Sequence, residues 1–209
     1  MENKTVNPRR RKQILQFLDK EHKVIDKYYE ILEKHMPFKK LILEMSKLIK
    51  EDPDFYDPYL VICDIFGAEG KTIQARKLIL EAYQRALNRI VDKEGNFPKE
   101  MIWGWLDNRH IIRLIDRYAS ELWEQGETEK ALEIFRNLLK SNPNDNIGAR
   151  YSILAIRLGL GTDYEKQFAT KDMLGYLDGF KISNWFSEHR KKFPDEFEQW
   201  FSLVEKENK

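Results

Sequence analysis

Residues 112–143 read IRLIDRYASELWEQGETEKALEIFRNLLKSNP, and the fold turns on this stretch. It describes an apolar helix, a turn at Gly126, and a second helix with the small residue Ala131 one turn in. Two helices joined by so short a turn lie antiparallel and meet face to face. Ala131 lets the backbones approach, Gly126 supplies the positive φ that a helix C-terminus often needs, and Thr128 is placed to accept a bond from an unpaired N–H.

The same pattern occurs upstream. When residues 59–82 are laid on residues 115–138, Gly70 falls on Gly126, Thr72 on Thr128 and Ala75 on Ala131, an offset of 56 residues. Ile62, Phe66 and Ile79 fall on Tyr118, Leu122 and Phe135.

On these residues the chain resembles the tetratricopeptide repeat family. Tyr118, Ala119, Leu122, Gly126, Ala131, Phe135, Leu138 and Pro143 stand where that family has its signature, and Gly70 and Ala75 mark a degenerate copy. The resemblance implies an all-α fold: antiparallel hairpins stacked as a short right-handed superhelix, with extra N- and C-terminal helices. It also implies a protein-binding role. Tandem repeats of this kind recur about every 34 residues, so the wider offset marks residues 91–111 as an insertion or as helices of another kind. The expected organisation is a single helical domain: N-terminal helices over 1–52, a degenerate hairpin over 56–90, the irregular insertion, the hairpin at 112–143, and C-terminal helices over 146–209. A third unit begins at Asn146, with Gly159 and Gly161 disturbing it.

Outward from the hairpins, Asn7 and Pro8 suit a helix start. Ile14, Leu15, Leu18, Ile25, Tyr28, Tyr29 and Leu32 then follow at helical spacing until Met36-Pro37 ends the run. Phe193, Phe197, Trp200, Phe201 and Val204 share one helical face near the C-terminus, behind Pro194, and are expected to dock on the preceding helices.

Composition narrows the function classes. With 36 Lys plus Arg against 35 Asp plus Glu, the chain lacks the basic excess of a dedicated nucleic-acid binder. One cysteine, Cys63, permits no intramolecular disulfide or thiolate cluster, and its inner-face position suits a small apolar filler. No apolar run approaches the roughly 18 residues that a membrane span needs, and no signal-peptide pattern is seen, so a cytoplasmic protein is expected. His22, His35, His110 and His189 match no metal-ligand spacing and are expected at surface or half-buried helix positions. Neither GxxxxGK[ST] nor GxGxxG is present. Glu127, Glu129 and Glu133 read as a solvated helix start, and Glu196 and Glu198 read likewise. No catalytic residue, metal or cofactor is expected.

If the resemblance holds, the first helix of each hairpin lines a concave groove. Its polar side would carry Arg113, Asp116, Arg117 and Ser120, then Asn146, Arg150 and Arg157. The arginines suit an acidic peptide or a chain-terminal carboxylate; the alternative is pairing with this chain's own Asp and Glu. Trp103 and Trp105 flank Gly104 in the insertion and suit either core or interface. The leading expectation is an interaction scaffold for a protein or peptide, with a homodimer as a further use of exposed aromatics. Two alternatives remain: a regulatory or nucleic-acid-associated protein using the basic run Arg9-Arg10-Arg11-Lys12, and an enzyme whose residues converge only in three dimensions.

Overall fold

The computed structural model describes residues 15–170 and 176–207. Among them the chain is all-helical, with only isolated bridges at Gln16–Glu100 and Ala169–Leu177. The expected helix start at Asn7 and Pro8, Ile14 and the basic run at 9–12 lie outside the described residues.

Among the described residues nine α-helices succeed one another: α1 (Ile25–Glu33), α2 (Phe38–Glu51), α3 (Asp57–Ala68), α4 (Thr72–Ile90), α5 (Arg109–Glu124), α6 (Thr128–Ser141), α7 (Ala149–Arg157), α8 (Gly179–His189) and α9 (Pro194–Glu207). Sequential helices pack on one another from α1 to α8, and α3 also reaches α5. None of them is long and apolar enough to cross a membrane.

The α3/α4 and α5/α6 hairpins close with one and the same turn. Gly70 and Gly126 adopt φ of +71° and +79°. The N–H groups of Lys71 and Glu127 then reach back to the carbonyls of Phe66 and Leu122, at 2.8 and 2.9 Å. This satisfies helix-end carbonyls that would otherwise lack partners. Gly159 ends α7 in the same way, at φ +73°, with Leu160 N–H donating to Ala155. Gly159, expected to be a disturbance, therefore forms the same turn as Gly70 and Gly126. The difference comes after the turn: Gly161 leads into a 3₁₀ segment over Thr162–Phe168 that buries Tyr164 and Phe168 against α7 and α5. The next α-helix is α8, where the Asp178 side chain accepts from the N–H groups of Phe180 and Lys181.

The expected threonine caps are not formed. Thr72 and Thr128 are already the first helical residues of α4 and α6, one position too far in, and neither helix has a side-chain cap. The small residues do what their size implies: Ala75 and Ala131 are buried, and the Cys63 thiol lies 3.5 Å from the Ala75 carbonyl. Burial pushes that thiol up to about 12, so Cys63 is an inert filler.

The N-terminal run departs from its helical spacing. Helix α1 begins only at Ile25; Leu15 and Leu18 are exposed on a non-helical segment. The backbone there finds partners far along the chain. Phe17 N–H donates to Glu100, Glu100 N–H to Leu15, and Asp19 N–H to the buried Asn108 side chain at 2.9 Å. Asn108 Nδ2 in turn donates to the carbonyls of Phe17 and Ile102. The 91–108 segment is irregular for a similar reason, since Met101 N–H and Ser141 Oγ tie it to the end of α6. Helix α5 starts at Arg109, three residues before the expected hairpin boundary.

At the C-terminus Phe197 is buried and Phe193, Trp200 and Phe201 pack against the core, with Trp200 Nε1–H donating to Pro143 at 2.7 Å. Glu196 is not solvated as expected. Arg136 and Arg157 both engage it, which fastens α9 to α6 and α7.

Candidate functional site

Helix α5 carries Arg113, Asp116, Arg117 and Ser120 of the expected site, and α7 carries Arg150 and Arg157. Their neighbours decide what each side chain does. Arg113 pairs with Asp57 through two parallel bonds, of 3.0 and 2.5 Å. Arg117 bonds Asp64 at 2.7 Å and Glu121 at 3.2 Å. Arg150 bonds Asp145 at 2.7 Å and stacks over Tyr151, Phe186 and Trp200. Arg157 bonds Glu196 at 2.6 Å and lies over Phe193. All four guanidinium groups are therefore occupied by this chain's own carboxylates. Asn146 is exposed ahead of α7, while Asp145 at φ +46° accepts from the N–H groups of Ala149 and Arg150 and so caps that helix. Trp103 is half-buried beneath Arg109 and Arg113, and Trp105 is 51% exposed.

A cleft of about 440 Å³ opens between α1, residues 55–57 and the start of α5. Tyr29 and Leu106, 54% and 68% exposed, line it together with Phe55, Arg109 and Arg113. Beneath lies a polar network that the sequence did not announce. Asp19, whose side chain is 1% exposed, receives Arg89 and the Lys20 N–H on one oxygen. Its other oxygen faces Nε2 of His22 at 3.2 Å and Nε2 of His110 at 3.1 Å. His22 Nδ1 meets Asp52 at 2.7 Å, and His110 Nδ1 accepts the Tyr56 N–H at 3.1 Å.

These partners fix the protonation states. Burial pulls His22 down, but hydrogen bonds to Asp19 and Asp52 outweigh it and raise its pKa, favouring a doubly protonated ring. His110 is lowered by burial, with the His22 charge adding to it, and stays neutral with its proton on Nε2. Burial pushes Asp19 up, yet bonds from His110, His22 and Arg89 hold it far below the usual carboxylate range.

Asp19, His22 and His110 bring ligand atoms within 4.8 Å of one another, close enough to hold a metal ion. The hydrogen bonding opposes that use. A neutral imidazole binding metal through Nε2 carries its proton on Nδ1 and donates it outward. Here His110 Nδ1 receives an N–H instead, and Arg89 already neutralises the carboxylate. The two histidines are therefore fully buried members of a closed network, not the surface or half-buried residues expected from sequence.

A second, smaller pocket of about 200 Å³ lies further along α5, toward α7 and the 162–168 turn. Asp116, Ser120, Trp123, Ser152, Tyr164 and Glu165 line it. Burial, with the charges of Asp145 and Glu165, pushes Asp116 up to about 7.

No protein family, curated protein or solved structure matches the chain significantly.

Proposed function

We propose that this protein is a tetratricopeptide-like interaction scaffold that receives a segment of a partner protein along the inner face of α5, anchored in the cleft beside α1. One observation carries the reading: exposed apolar side chains from two separate elements, Tyr29 and Leu106, line the same cleft. Exposed apolar surface in a concave site marks where a partner gains most by excluding water. The internal ion pairs of Arg113 and Arg117 hold the groove's polar side in place before any partner arrives. Pre-ordering of this kind lowers the entropy lost on binding.

Binding is favoured over catalysis because the titratable groups beneath the cleft are spent on each other. Every nitrogen of His22 and His110 has a protein partner, so neither imidazole is free to serve the cleft as a base.

The test is affinity capture from the native host with the parent chain and with Tyr29→Ala/Leu106→Asp. The double variant should keep its helical circular dichroism and lose the retained partner. Equal retention by both chains would remove the cleft from the binding surface.

A further inference from the structure

Five carboxylates packed into this fold hold arginines, Asp19 with Arg89, Asp57 with Arg113, Glu121 with Arg117, Asp145 with Arg150 and Glu196 with Arg157, and Asp52 holds His22. Asp116 breaks the pattern. The charges that act on it are Asp145 and Glu165, both repulsive, and Arg117, whose guanidinium is taken by Asp64 and Glu121. No hydrogen bond or ion pair to its carboxyl is formed among the described residues. The carboxyl lies deep among protein atoms, while part of its surface still opens into the 200 Å³ pocket. A carboxylate so placed is costly to keep ionised, and a cation entering the pocket would remove the cost.

The lining selects the kind of cation. Ser120 and Ser152 line the same pocket and carry hydroxyls able to accept. Trp123 and Tyr164, both buried and with ring centroids 5.9 Å apart, back the pocket and present only their edges to it. The Tyr164 hydroxyl lies 3.5 Å from Ser152 and 3.1 Å from Glu165, so it extends the polar rim. A hard divalent ion wants six or more oxygens, with little use for aromatic rings. An ammonium on an aliphatic stem fits both features: three N–H donors for the carboxylate and hydroxyls, and methylenes for the rings.

We propose that this pocket receives a protonated primary amine, the lysine side chain of a partner segment lying along α5. The source of the lysine rests on the groove proposed beside α1 and α5; the chemistry of the pocket does not.

The full chain tests this with Nα-acetyl-lysine N-methylamide as the probe and its Nε-acetylated analogue as the control. The side-chain ¹³C resonance of Asp116 is followed through a pH titration. The probe should saturate and carry the Asp116 midpoint from about 7 down to the ordinary carboxylate range. The acetylated analogue should leave it in place. Asp116→Asn should weaken the probe by about tenfold or more, equivalent to about 1.4 kcal/mol. The same variant should unfold no earlier than the parent above neutral pH, since it removes an unpaired charge. The proposal falls if the probe at millimolar concentration leaves Asp116 unmoved, if the acetylated analogue binds as well, if calcium alone produces the shift and the amine does not, or if Asp116→Asn destabilises the fold. Because the probe is a single amino-acid derivative, its failure leaves the cleft reading standing. Unchanged capture by the Tyr29/Leu106 variant likewise leaves the pocket standing.

Discussion

Replacing Asp19 by Ala should be among the most destabilising single changes in this protein. The Asp19 carboxylate is the hub on which His22, His110 and Arg89 converge. Its loss acts unequally on them. Arg89 is partly exposed and keeps Asp54, so water and that carboxylate absorb much of its cost. His22 keeps Asp52 but leaves one buried N–H without an acceptor. His110, 2% exposed, loses the acceptor for its Nε2 proton outright. A buried unsatisfied donor costs about 1–3 kcal/mol, and breaking a buried charge pair about 3–5 kcal/mol in all. We therefore expect a loss of about 3–5 kcal/mol in urea unfolding followed by tryptophan fluorescence. At this chain length each kcal/mol moves the midpoint by about 2–4 °C, so thermal circular dichroism should show a fall of roughly 6–20 °C. Asp54→Ala is the control: its ion pairs with Lys20, Arg85 and Arg89 are partly exposed, and about 1 kcal/mol or less is expected. An Asp19→Ala loss under about 1 kcal/mol would refute the burial of the Asp19 and His22 side chains against α4 and α5.

The same network sets a pH signature. His22 has a folded pKa above its ordinary 6.5, so its contribution is complete below that value and is lost as pH rises through the folded pKa. The stability gap between the parent and His22→Ala should therefore be widest in mild acid and should shrink on the alkaline side; a gap that widens there would contradict the protonated ring. At the hairpin turn, Gly126→Ala should cost about 1–2 kcal/mol, because φ there is +79° and L-residues disfavour that region, whatever space surrounds the new Cβ. Thr128→Ala, two residues on, should change stability by less than about 0.5 kcal/mol, since its hydroxyl caps nothing. Denaturant midpoints of the two variants check both expectations.

How far the sequence can be read depends on the range of the contacts. The α5/α6 hairpin is local: Gly126 and Ala131 act on residues within two turns of themselves, so the pattern is visible in a short window. Gly70 and Ala75 repeat it, and the shared offset makes the pair legible. Gly159 forms the same turn but looks like a disturbance in sequence, because Gly161 and a 3₁₀ turn come after it where the other units have a Thr and a helix. Leu15 and Leu18 keep helical spacing, yet Asn108 and Glu100 claim the backbone around them from about ninety residues away. No local window contains that competition. The Asp19–His22–His110 network is hidden for the same reason, since an aspartate three residues before a histidine means nothing until residue 110 arrives. One signal for the groove's ion pairs does stand in the sequence. The 56-residue offset places Asp57 on Arg113, and equivalent positions on adjacent first helices lie side by side, so their opposite charges announce the pair that forms. The acidic hole at Asp116 is not legible, because it depends on Arg117 turning away to Asp64 and on a 3₁₀ turn closing the pocket.

The partner-binding groove is tested most directly by a photo-cross-linking residue, p-benzoylphenylalanine, placed at Leu106 in the native host. Ile73, 79% exposed on α4, serves as the comparison position. Illumination should join a partner polypeptide to the chain from position 106 and not from position 73. Identical products from both positions, or none from position 106, would contradict a groove beside α1 and α5.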